Sequence, residues 1–81
     1  MRVDKFLNSV NITKRRSVAQ DMISNKVVLI NDIVVKASKN VEVGSIITIN
    51  YLENSKKYEV LQIPATKSTP KSLQGNYIKE V

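Results

Sequence analysis

Three consecutive cations, Lys14-Arg15-Arg16, follow Thr13 and lead into Val18, Ala19, Met22 and Ile23, which share one face at helical spacing. Thr13 reads as an N-cap for a helix running to about Asn25, which puts the three cations in its first turn. Positive charge beside the exposed N–H groups of a helix start is unfavourable by roughly 0.3–1 kcal/mol per residue. A bound phosphate reverses the sign, because a helix N-terminus is already an anion site and basic side chains add to it. The segment breaks a stability rule in a way that binding a phosphate-bearing polyanion would explain.

Other chemistries find little to work with. The chain contains no His and no Cys, which removes the commonest general base, the commonest metal ligands and any zinc cage or disulfide framework. Only two Gly are present, too few for a phosphate-cradling loop, and no carboxylate pair is placed for acid–base work. The reading is of a protein that is not an enzyme, without cofactor or metal.

Charge agrees with a polyanionic partner. Thirteen Lys and Arg against seven Asp and Glu give a net charge of +6. Residues 1–26 hold six cations against two acids, a net of +4, and residues 27–81 hold seven lysines against five acids, a net of +2. The excess is concentrated in the first third of the chain. No stretch approaches the roughly 18 consecutive apolar residues of a membrane span, and Asp4 and Lys5 interrupt the N-terminal segment where a signal peptide would need an apolar run. A cytoplasmic location and no membrane association are expected.

The elements that must position these cations can be read from periodicity. At 81 residues there is room for one compact domain. Val3, Phe6, Leu7 and Val10 form one stripe of a short amphipathic helix with Asp4 in its first turn, where a carboxylate suits the helix dipole. Asp4 is read as a helix-start carboxylate or ion-pair partner, and Phe6 as core. Asn11 is a place for the chain to turn. After the second helix the period changes. Val27–Ile30 and Ile33–Lys36 are strand-like runs around Asn31-Asp32, which signals a tight hairpin. Val43-Gly44-Ser45 marks a turn, Ile46–Leu52 a strand, 53–56 a polar turn, and Lys57–Ile63 a last strand ended by Pro64. From residue 64 to 81 the composition becomes that of a short polar tail, with a turn of helix around Tyr77 and Ile78. The fold expected is α+β: two N-terminal helices packed on a small, mostly antiparallel sheet over residues 1–63, then the tail.

With these elements in order, the chain resembles a known family. Arg2-Val3-Asp4-Lys5-Phe6-Leu7 looks like the opening of the S-four RNA-binding domain, also called the alpha-L RNA-binding motif. Arg16-Ser17-Val18-Ala19 with Met22-Ile23 is similar to its second helix, and Val27 to Asn31 with Val41-x-x-Gly44 to its sheet. The similarity covers roughly residues 1–52. Lys36-Ala37-Ser38-Lys39 further resembles the short, free-standing members of the heat shock protein 15 and RqcP type.

That resemblance implies recognition of structured rRNA or tRNA at the large ribosomal subunit, in rescue or quality control of stalled subunits that still carry peptidyl-tRNA. It also implies a partner that elongates the nascent chain; separately, the chain is expected to act as a monomer. Carried over position by position, the RNA surface comprises Arg2, Lys5, Lys14, Arg15, Arg16, Lys36, Ser38 and Lys39. Arg2 and Arg16 would give bidentate hydrogen bonds to phosphate, the lysines and Arg15 would act as point charges, and Ser38 would donate to a phosphate or 2′-hydroxyl. Lys56 and Lys57 read as solvated turn residues. Three positions depart from the family pattern: Lys26 and Asp32 stand where Gly is usual, and Ser45 where Asp is usual. If position 26 needs a left-handed backbone, either Lys26 adopts it at a steric cost or Asn25 takes that role. The competing readings are a general structured-RNA binding module and a protein-interaction adaptor without ribosome specificity.

Overall fold

The computed structural model describes residues 1–65 and 71–81; the polar stretch from Thr66 to Pro70, with Lys67, lies outside the described residues. Helix α1 spans Val3–Ser9 and helix α2 Arg16–Ser24. Five strands follow: β1 (Val28–Ile30), β2 (Ile33–Val34), β3 (Ile46–Asn50), β4 (Ser55–Val60) and β5 (Ile78–Glu80). They form one sheet in the order β2-β1-β3-β4-β5, with every neighbouring pair antiparallel. The two-helix, antiparallel α+β architecture is the one expected.

The apolar stripe of α1 behaves as its spacing dictates, since Val3, Phe6, Leu7 and Val10 are all fully buried. Each such side chain contributes roughly 1.5–3 kcal/mol on leaving water. This matters because a seven-residue helix has no stability of its own and must be held by packing. The register brings Val28 opposite Ile49, Ile30 opposite Ile47 and Val60 opposite Ile78. All six are buried and make up the sheet's contribution to the core, with Ala19 and Ile23 of α2 and Val41 completing it.

The second helix starts later than the Thr13 signal predicts. Arg15 occupies the N-cap position without a side-chain cap, and Arg16 is the first helical residue. Thr13 instead belongs to the reversal between the helices. Asn11 there takes φ +64, and the N–H groups of Ile12 and Thr13 both donate to the Leu7 carbonyl. Wrapping the chain around the end of α1 consumes Thr13, which is buried. Lys14 and Arg15 therefore precede the helix, and only Arg16 lies in its first turn. Val18, expected on the apolar face, is 42% exposed.

Asn31 and Asp32 have φ +51 and +66, the left-handed pair that a type I′ hairpin turn requires. Lys26 has φ +61 whereas Asn25 has φ −81, so Lys26 itself adopts the conformation a glycine would take more cheaply. Strand edges are shorter or shifted relative to expectation: β2 stops at Val34, β3 at Asn50, and β4 begins at Ser55, so Lys56 and Lys57 sit on a strand and not in a turn.

The C-terminal segment differs most. Where a turn of helix is expected at Tyr77 and Ile78, the chain forms a 3₁₀ turn over Lys71–Asn76 and then β5. Ile78 is buried, the Leu61 N–H donates to the Tyr77 carbonyl at 2.7 Å, and the Gln74 amide donates to the Val10 carbonyl at the end of α1. This part of the polar tail thus closes the sheet's outer edge and ties it to the first helix.

Candidate nucleic-acid interface

Asp4 lies in the first turn of α1 and is fully buried, yet it is surrounded by polar groups. Its Oδ1 accepts the Lys5 backbone N–H at 2.8 Å. Its Oδ2 accepts Arg16 Nε at 3.1 Å and Gln20 Nε2 at 3.0 Å. Arg16 and Gln20 are four residues apart on α2 and so share one face, which aims both at the same carboxylate. The Arg2 guanidinium approaches from the other side, with Nε 3.4 Å from Oδ1 and Nη2 3.4 Å from Oδ2. Burial alone would raise the carboxyl's pKa. The hydrogen bonds from Gln20, Arg16 and the Lys5 N–H, with the charge of Arg16, outweigh it and hold Asp4 below its ordinary value.

One buried carboxylate therefore fixes two guanidinium groups, each by one edge. Their side chains remain 48% and 44% exposed, so the outer parts of both forks face solvent. Two cations against one anion leave a local positive excess, held in place without blocking the donors that would meet a phosphate. This also explains how α2 tolerates an arginine in its first turn, since the Asp4 charge offsets the unfavourable dipole term.

The N-terminal residues connect this cluster to a second basic element. Val3 N–H donates to the Lys39 carbonyl at 2.7 Å, Val41 N–H donates to the Met1 carbonyl at 2.8 Å, and Arg2 bridges to Asn40. Lys36 to Lys39 form a turn closed by the Lys39 N–H on the Lys36 carbonyl at 3.0 Å. That turn presents Lys36, Ser38 and Lys39, all exposed, with Lys39 chained directly to the Arg2 end of α1. Lys5 is half-buried beside Asp4, and Lys14 and Arg15 are exposed on the approach to α2.

The structure thus brings Arg2, Arg16 and Lys39 close through Asp4 and the strand-like contact of residues 1–3 with 39–41. Lys36 and Ser38 continue along the turn, while Lys14 and Arg15 reach the cluster only through their neighbour Arg16. Sequence reasoning missed Gln20; its one signal was its position four residues after Arg16.

This fold, with a basic surface assembled on two short helices and the turn after a hairpin, defines a class. The S4 domain family model matches residues 1–47, and the chain belongs to the S4 domain family. More particularly, it is 45% identical over 78 residues to the RQC P-site tRNA stabilizing factor of Helicobacter pylori strain 26695, covering 96% of this chain and 93% of that protein. The protein of the same name from Helicobacter pylori strain J99 is 42% identical over the same length. Among solved structures, Vibrio cholerae heat shock protein 15, described as trimeric, superposes with a TM-score of 0.90 at 27% identity, covering all of this chain and 81% of its own. The solution structure of the hypothetical protein HP1423 superposes with a TM-score of 0.87 at 43% identity, covering all of this chain and 96% of its own.

Proposed function

We propose that this chain is a non-enzymatic RNA-binding protein of the large ribosomal subunit, which steadies P-site tRNA during rescue of stalled subunits that still carry peptidyl-tRNA. The observation that carries the reading is the pair of half-exposed guanidinium groups, Arg2 and Arg16, set on one buried carboxylate. The 45% identity to a P-site tRNA stabilizing factor across 96% of the chain supports the choice of tRNA and ribosome as partners. The contact residues are Arg2, Lys5, Lys14, Arg15, Arg16, Lys36, Ser38 and Lys39, all within residues 1–63. Arg2 and Arg16 grip phosphate, and the remaining cations raise affinity without reading sequence.

The reading places the protein in the cytoplasm, beside a partner that elongates the nascent chain while the tRNA is held. Among the described residues no helix is long and apolar enough to cross a membrane. It takes the chain as a monomer; light scattering tests this, and a trimer would align it with the Vibrio cholerae relative instead.

Binding to isolated large subunits, small subunits and free tRNA across a salt series tests the function. Preference for the large subunit should persist as salt weakens every contact. Equal loss of affinity on every RNA would reduce the protein to a general RNA-binding module.

A further inference from the structure

Beside the β1–β2 hairpin runs a groove lined by the aliphatic residues Ile33, Val34 and Val35 and by the polar residues Asn31, Lys36, Ser38 and Lys39. Ile33 is 66% exposed and Val34 48%; they project from opposite faces of the outermost strand, Ile33 on the side of its partner Ile30 and Val34 on the side of Leu29. Exposed apolar surface of this kind, rimmed by polar groups, marks a binding site more often than an isolated exposed side chain does. None of the residues lining it is acidic.

We propose that this groove takes one unpaired nucleobase of the RNA whose phosphates meet Arg2, Arg16 and Lys39. The inference rests on the RNA-binding reading above and adds to it a ligand subsite. Lys39 belongs to both surfaces: its carbonyl receives the Val3 N–H at 2.7 Å beside Arg2, and the residue lines the groove. A nucleic-acid backbone that meets Arg2 therefore lies beside the turn that edges the groove.

The chemistry of the lining suits a base. One of its flat, weakly polar faces would rest on Ile33. The carbonyl and ring-nitrogen acceptors on its edge would meet the Ser38 hydroxyl and the ammonium groups of Lys36 and Lys39. Asn31 already commits its Oδ1 to the Ile46 N–H at 3.0 Å, which leaves its amide nitrogen to donate. A protein strand added to the sheet edge is a poorer occupant, because β2 offers a template of only two residues. With no aromatic side chain in the lining, the base would be held by aliphatic contact and tolerated whatever its identity.

The test compares two RNA hairpins, one with a continuous stem and one with a single-nucleotide bulge, titrated against the full chain. The bulged RNA should bind about tenfold more tightly, which corresponds to about 1.4 kcal/mol. The double variant Ile33→Ser, Val34→Ser should bring the two RNAs within about twofold while keeping the wild-type affinity for the continuous stem. Both residues are exposed, and circular dichroism checks that the fold survives. Equal wild-type affinity for the two RNAs, or a double variant that keeps the preference, overturns the subsite. Failure to bind either RNA overturns the RNA-binding reading and the subsite together, and is told apart by the continuous stem.

Discussion

Arg16 Nε lies 3.1 Å from Asp4 Oδ2, although the two residues are twelve positions apart and sit on different helices. The carboxylate is fully buried and the guanidinium is nearly half exposed. The contact is therefore both a tie between α1 and α2 and a mount that sets the direction of a solvent-facing fork. A buried carboxylate alone would be costly; here Arg2, Gln20 and the Lys5 N–H join Arg16 in satisfying it.

Asp4→Asn should lower stability by about 1–3 kcal/mol, because it replaces an acceptor of several donors by an amide that turns two donors toward them. Urea denaturation checks this, and an unchanged midpoint would contradict the role given to Asp4. The pH dependence follows from the depressed carboxyl. Its stabilisation is present above the unfolded-state aspartate pKa and is lost as pH falls through the lower folded value. The wild type should lose stability in that acid window, and Asp4→Asn should show a shallower decline.

Arg16→Ala should weaken RNA binding by about 1–3 kcal/mol and leave the fold intact, since Asp4 retains Arg2, Gln20 and the Lys5 N–H. Arg16→Lys should fall between the two, because an ammonium cannot hold Asp4 by one edge and fork a phosphate with another. Filter binding with circular dichroism on the same samples separates the cases. An unfolded Arg16→Ala, or one that binds as well as the wild type, would refute the assignment.

Lys26→Gly and Asp32→Gly should each raise stability by up to about 1 kcal/mol, since both positions have φ near +60. The greater freedom of glycine in the unfolded chain offsets part of the gain. A lower melting temperature in both variants would show that these side chains make contacts that outweigh the strain.

Lys57→Gln should leave RNA affinity within about twofold. Lys57 stands opposite Thr48, on the sheet face away from Ile47 and Ile49, and its nearest acid is Asp32 at 3.9 Å. A large loss in a titration would extend the RNA surface to the far side of the sheet.

What could be read in the sequence was what local spacing controls. The stripe Val3, Phe6, Leu7, Val10 and the Asn31-Asp32 turn have signals contained within a few residues, and both stand as read. Thr13 misled because its cap signal is local, while the hydrogen bond that claims its N–H comes from Leu7 on the preceding helix. Strand β5 left almost no signal, since one buried residue, Ile78, anchors it and its pairing partner is Val60. At the site, the type and charge of Arg2 and Arg16 were legible. Their common anchor was not, because Asp4 gathers donors from positions 2, 5, 16 and 20, a set only the packing of two helices creates.

On the proposed function, the arginine pair on Asp4 binds RNA of the tRNA-bearing large subunit. Co-sedimentation tests it most directly, with large subunits carrying peptidyl-tRNA, empty large subunits and small subunits, for the wild type and Arg16→Ala side by side. Selective pelleting of the wild type with the peptidyl-tRNA-bearing subunit, lost in Arg16→Ala, is the predicted result. Equal pelleting with all three particles, or selective pelleting that survives Arg16→Ala, would contradict it.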